Sequence, residues 1–506
     1  MVALKKEKEL FYDSDLKILL KQLEGGAVKD YEKAAKALNL RAMTALASEV
    51  SKVGIDKFGV SQKLFREYIL SNALIEVELQ KAKDILKKSN LKKDEKIKME
   101  SLIKYYLDDL SWFDEIENNE SLIQDEIYYK LLGHRLMELG DYKRAFQKYQ
   151  KAWEISKDDP RYVIFKCEAL RAIGKDKEIF LEISKITQDF EYFVHGWNEL
   201  ARYYLDKGNL HLAYQAIGKA LSINPNDWGA FFTLADFYFF RGEYGRARGV
   251  LEILLSLEPT KQISAEVLNY LGYLFSLDNR YKEGQSCLER AVMLNPLLAE
   301  AWYNLGNIAF HEKHFEEALA CYERAAASNE KMASAFTQIG LTLLETGKLC
   351  NADKPLLKAI EIDASEYLAF LGLSEYYRRM KDGKKALFYA KMAIKIEPSD
   401  PNAYNILGIA LEFNKKYKEA EEAYKKALDI DPMHRWAANN LGYLYEKLIP
   451  KNNKYKNLAI EAWKKRLEIC LETKVSIKGA LNHLLKLGVK SSEIKKWISA
   501  IKNDKS

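Results

Sequence analysis

His311 and His314, three positions apart, stand with Glu312 and Glu316 as the densest grouping of metal-ligating side chains in the chain. Imidazole and carboxylate together could hold a zinc-like ion, but two histidines at this spacing lack the further ligands of a closed site. The remaining histidines are scattered. Five cysteines (Cys167, Cys287, Cys321, Cys350 and Cys470) include no Cys-x-x-Cys pair, a usage that fits reduced thiols rather than a disulfide framework. No G-x-x-x-x-G-K-[ST] or G-x-G-x-x-G loop is present to cradle phosphates, and Gly25-Gly26 reads as an isolated turn signal. Of the 31 tyrosines, Tyr142, Tyr244, Tyr281 and Tyr417 recur at one position of a periodic pattern and read as packing residues. These residue types predict no catalysis, no metal and no cofactor.

The elements that would have to position any site are themselves periodic. Positions 133, 167, 201, 235, 272, 306, 340, 374, 408 and 442 all carry Gly, Ala, Ser or Cys, mostly after a large apolar residue. Successive members lie 34 residues apart except for one step of 37, where the Pro259–Gln262 connection adds three residues. Each unit holds two helical patterns. In the one from Ala299, Trp302, Leu305, Gly306 and Ala309 form one stripe, and Ala318, Tyr322 and Ala325 form another. Small residues let the two helices approach while large ones fill the gaps between pairs. Pro225, Pro259, Pro296, Pro398 and Pro432 end the second helices, because a residue before proline avoids the helical region.

Composition agrees with a packed, non-fibrous protein. Hydrophobic residues make up 48% of 506 positions, and 9 prolines and 25 glycines are too few for disorder or turn-rich β structure. Lys and Arg number 79 against 73 Asp and Glu, so no single field dominates. No apolar run reaches membrane-spanning length, and charges interrupt the first residues, MVALKKEKELFYDSD, so no secretory signal is read there. The expectation is a cytoplasmic protein.

The pattern resembles the tetratricopeptide repeat (TPR) family. Residues 194–225 supply Trp197, Leu200, Ala201, Tyr204, Ala213, Ile217, Ala220 and Pro225 at that family's signature positions. The likeness runs over roughly residues 126–468. It departs near 159–185, with Cys167 and Ile179 at small-residue positions, and after Tyr445, where Leu448–Asn457 reads as an insertion. The resemblance implies an all-α, right-handed superhelical α-solenoid of about ten helix pairs.

In that family the first helices line the concave face, and the side chains not used in packing point into it. Carried onto this chain, those positions yield Asn198, Phe232, Asp236, Phe239, Phe240, Asn269, Tyr273, Tyr303, Asn307 and Phe310 as candidate partner-binding residues. Rigid aromatics supply contact area at small entropic cost, and amides can hydrogen-bond the backbone of an extended peptide. A protein-interaction scaffold or adaptor is therefore implied, taking a partner's peptide or helix in the groove. The alternatives are a regulatory subunit whose enzyme is another chain, and an RNA-binding helical repeat. A known TPR subfamily grips carboxylates through a lysine at the fifth position and an asparagine at the ninth; Lys130 matches the first, but His134 stands at the second.

Residues 1–125 show helical periodicity without clean register: Leu16–Leu23, Tyr31–Leu38, Arg41–Val53, Gln62–Leu86 and Lys96–Trp112. They read as a helical cap or degenerate repeats. Residues 469–506 read as capping helices, and the stretch 447–506 carries 15 basic and 5 acidic side chains. That end is the only one with a charge excess suited to nucleic acid, and its lysines fit a solvated cap face equally. Nucleic acid is not the expected partner, and no oligomeric state is implied.

Overall fold

The computed structural model describes residues 19–73, 75–107, 109, 111–112 and 125–503. Among these there are helices and no strands, an all-α solenoid of packed helix pairs. Two compact units result, Met1–Asn279 and Arg280–Ser506.

In the first unit, after a helical stretch at 19–23, the described residues before the repeats form α1 (Val28–Leu40), α2 (Thr44–Phe58), α3 (Gln62–Ser71), α4 (Glu76–Lys88) and α5 (Lys93–Tyr106). The periodicity of Gln62–Leu86 predicts one helix, and the chain makes two. Asn72 caps α3, its amide donating to the Tyr68 carbonyl at 2.8 Å, a local bond that competes with helix continuation. Lys96–Trp112 is likewise shorter, ending at Tyr106, and residues 16–18 of the first predicted stretch lie outside the described residues. The pairs then run α6 (Glu126–Glu138) with α7 (Tyr142–Ile155), α8 (Arg161–Ile173) with α9 (Asp176–Asp189), α10 (Val194–Asp206) with α11 (Leu210–Ile223), and α12 (Trp228–Phe240) with α13 (Tyr244–Ser256). Helix α14 (Lys261–Leu277) packs on α13.

The irregular second repeat forms despite its departures. Cys167 is fully buried, and Ile179 stands at 3% exposure where the family favours alanine. Between helices of a pair the chain turns through a left-handed residue, glycine at 140, 174, 208 and 242.

The second unit continues with α15 (Tyr281–Leu294), α16 (Ala299–His311), α17 (Phe315–Ser328), α18 (Ala333–Glu345), α19 (Asp353–Ile362), α20 (Tyr367–Arg379), α21 (Gly383–Ile396), α22 (Pro401–Phe413), α23 (Tyr417–Ile430), α24 (Arg435–Leu448) and α25 (Lys454–Glu472). Each packs on its successor. The expected break after Tyr445 is mild: α24 runs on to Leu448, a 3-10 turn spans Ile449–Lys451, and α25 restores the hairpin by seating Trp463 against Gly442. Helices α26 (Lys478–Lys486) and α27 (Ser491–Asn503) close on α25, burying Leu484 and Ile494 while Lys464 lies 5.0 Å from the Trp497 ring.

The small-residue ladder has a direct packing cause. A Cβ built on Gly133, Gly306 or Gly408 would lie 2.4–2.5 Å from Cε1 of Tyr149, Tyr322 or Tyr424, the ring contributed by the second helix of the same pair. All three rings are essentially inaccessible to solvent.

Candidate functional site

The sequence-predicted aromatics divide between the two units. On α12 and α14, Phe240 is 55% and Tyr273 38% exposed, while Phe239 is half-buried between them, its ring 5.9 Å from Phe240 and 6.1 Å from Tyr273. Phe232, two turns before Phe239 on α12, leans on Trp228 at 6.2 Å. Asp236 accepts a hydrogen bond from the Tyr270 hydroxyl at 2.6 Å, and burial pushes its carboxyl above the ordinary value. Asn269 is half-buried beside them on α14. These side chains form one apolar surface with a single acidic group.

Asn198 is a correction. It is 6% exposed, and its amide donates at 2.7 Å to Asp227, whose carboxylate also caps α12 at the Ala230 N–H. That amide links one repeat to the next and presents nothing to a peptide.

On α16 in the second unit, Tyr303, Asn307 and Phe310 are half-buried against their own hairpin. The Tyr303 ring lies 5.7 Å from Tyr322, Asn307 accepts from the Tyr322 hydroxyl at 2.9 Å, and Phe310 sits 5.4 Å from Phe315. They are less available than Phe240 and Tyr273. His311 stacks on Tyr281 at 4.3 Å instead of joining His314 around an ion, and among the described residues no group of three or more ligating side chains gathers.

The larger feature lies over the first three repeats. Groove-facing positions of the first three repeats, Ile127 and Lys130 on α6, Ile164 and Glu168 on α8, and His195 on α10, are roofed by Arg66 and Leu70 of α3 and by Leu102 and Tyr106 of α5. Beneath that roof lies a cavity of about 260 Å³. The chain's own N-terminal helices thus occupy this stretch of groove.

A buried charge network fastens the roof. Arg161 reaches both carboxylate oxygens of Glu67, at 3.0 and 3.2 Å, and grips Asp159 at 2.6 and 2.7 Å. Arg66 adds Glu126 at 2.9 Å and touches Glu67 at 3.3 Å. Glu67 and Asp159 are 2% and 1% exposed, and the two guanidiniums hold their carboxyls below the ordinary range against the opposing effect of burial. Lys36 pairs with Asp158, and Asn224 donates to the Ala42 carbonyl at 3.2 Å, so contacts of the N-terminal helices reach as far as the α11–α12 turn. The only sequence signal for the network was an Arg-Glu pair inside the strongly amphipathic Gln62–Leu86 stretch.

Models of the tetratricopeptide repeat match residues 194–227, 299–331 and 401–434. Those matches fall on the 34-residue ladder and on paired helices. The chain carries tetratricopeptide repeats. Among curated relatives, BBSome complex member bbs-4 of Caenorhabditis elegans is 21% identical over 64% of this chain and 71% of its own length. Anaphase-promoting complex subunit 3 of Schizosaccharomyces pombe is 24% identical over 72% of this chain, which spans only 42% of that protein. A solved structure of the APC/C hetero-tetramer Cut9–Hcn1 aligns over 94% of this TPR chain and 99% of its own, at 14% identity and a TM-score of 0.49. Among the described residues no helix is long and apolar enough to cross a membrane.

Proposed function

We propose that this TPR chain is a protein-interaction scaffold that takes an extended peptide or a helix of a partner along the faces of α12 and α14. One observation carries the reading. Phe240 and Tyr273 stay exposed on successive repeats with Phe239 between them, while the equivalent faces of α6 and α8 are closed by the chain's own helices. Exposed aromatics on a rigid helical face are the anchors that protein interfaces favour. Asp236 beside them would favour a partner that brings a hydrogen-bond donor or a basic side chain.

The test is affinity purification with quantitative mass spectrometry, comparing the wild type, the double variant Phe239→Ala/Phe240→Ala, and Leu181→Ala on the outer helix α9. Partners should be lost from the double variant and kept by Leu181→Ala. Equal recovery from a double variant with an unchanged circular dichroism spectrum removes this face as the binding site. The names of the relatives favour a second form of the same reading, a subunit of an assembly whose enzyme is another chain. Co-elution of a constant set of proteins at fixed stoichiometry would support it.

A further inference from the structure

Lys130 is 5% exposed on the wall of the cavity under α3 and α5. Its Nζ lies 3.0 Å from the Tyr106 hydroxyl and 5.2–5.8 Å from the ring centroids of Tyr105, Tyr106 and Phe165. Among the described residues no carboxylate pairs with it, because Glu67 and Asp159 are taken by Arg66 and Arg161. Leu70, Leu102, Ile127, Ile164 and Phe193 supply the apolar part of the wall, beside the charged Arg66, Arg161 and Asp159. Glu168 and His195 line the same cavity and are exposed, which marks its mouth.

An ammonium ion in that position would be desolvated, unpaired and beside two guanidiniums. The neutral amine is therefore far more populated than in an ordinary lysine, and the Lys130 amine is pushed down to about 7 by burial and by Arg161 and Arg66, against the weaker opposing pull of Asp159 and Glu168. A desolvated amine next to cations is the form of lysine that attacks carbonyl carbon.

We propose that this cavity is a covalent capture site for small aliphatic aldehydes, with Lys130 as the nucleophile. The Nζ lone pair attacks the carbonyl carbon, and the C=O π pair moves to oxygen, which takes up a proton lost from nitrogen. The resulting carbinolamine expels its hydroxyl with one further proton as water, leaving a C=N bond to Nζ. Aldehyde and amine thus become imine and water, with no oxidant or reductant. The Tyr106 hydroxyl is placed to relay the proton, and the apolar wall takes the alkyl chain. At about 260 Å³ the cavity is just below the lower end of small-molecule sites, about 300 Å³, and limits the ligand to a short chain.

Butanal with sodium cyanoborohydride at pH 7 converts each imine to a stable butyl-lysine that mass spectrometry assigns by position. At that pH about half of an amine with its pKa near 7 is neutral, against roughly one in three thousand for an ordinary lysine. Lys130 in the native full-length chain should be alkylated more than about tenfold faster than the exposed Lys313 and Lys415. Unfolding in urea should erase that advantage. Tyr106→Phe should slow labelling at Lys130 alone, a readout that a purely structural role for the hydroxyl would not move selectively. Labelling of Lys130 no faster than of Lys313, or an advantage that persists in urea, overturns the proposal.

Discussion

Glu67 and Arg161 meet through two hydrogen bonds of 3.0 and 3.2 Å across 94 residues of sequence. The pair ties the helices that precede the repeats to the groove of the repeats themselves. Removing one member of a buried, doubly hydrogen-bonded pair leaves the other charged and desolvated, a loss of about 3–5 kcal/mol. Arg161→Ala should therefore lower the urea midpoint of the first unit strongly. Replacing Lys207, whose partner Asp176 is half-exposed at the surface, should change it little. Equal effects would show that the network does not fasten α3.

The same carboxylates set an acid limit. Glu67 and Asp159 have folded-state values below their unfolded ones, so the folded chain gives up their protons more readily. That contribution is fully present above the unfolded values near 4, and it is lost as pH falls through and below them. Urea midpoints measured from pH 6 down to pH 3 should fall steeply for the wild type. They should fall less steeply for Glu67→Gln/Asp159→Asn, which starts lower.

Lys130 works in the opposite pH window. Its folded-state value of about 7 lies under the ordinary 10.5, so between those values the unfolded chain binds a proton that the folded chain does not. Stability should then rise with pH across that window, by up to about 1.4 kcal/mol per unit from this group alone. The facing groups are Arg161, Asp159, Arg66 and Glu168, together with the Tyr106 phenol, itself pushed up to about 12 by burial. Arg161 and Arg66 stay charged and Asp159 stays ionised between 7 and 10. Lys130→Met should flatten the slope between pH 7.5 and pH 9.5 and raise the midpoint at pH 7. An unchanged slope would mean that the amine is solvated.

How much of this could be read from the chain follows from where each interaction lies in sequence. Gly306 and Tyr322 are 16 residues apart, inside one repeat, and every repeat states the same relationship again, so the hairpins were legible from spacing. Phe240 and Tyr273 were legible for the same reason, since their exposure follows from repeat position. Asn198 was misread because its partner Asp227 belongs to the next repeat, and a groove position near the turn can serve as a strut. The cavity was out of reach. It depends on Arg66 and Tyr106 meeting Asp159 and Lys130, contacts between an irregular segment and a regular one that no period encodes.

The repeat geometry makes a sharper demand at its glycines than composition alone would show. A Cβ on Gly306 would stand 2.5 Å from Tyr322 Cε1, far inside contact distance. The ring cannot swing away freely, because it is 1% exposed and its hydroxyl is bonded to Asn307. Helix α16 or α17 would have to shift, and overpacking of this kind costs about 1–3 kcal/mol. Gly218, in the middle of α11, offers the opposite case: nothing lies within 4 Å of its built Cβ, and it faces solvent. Alanine there removes backbone freedom from the unfolded chain and should stabilise by about 0.5–1 kcal/mol. The two substitutions are chemically identical and should move the thermal midpoint in opposite directions. If Gly306→Ala proves neutral, the close approach of the two helices is not what the small-residue ladder is for.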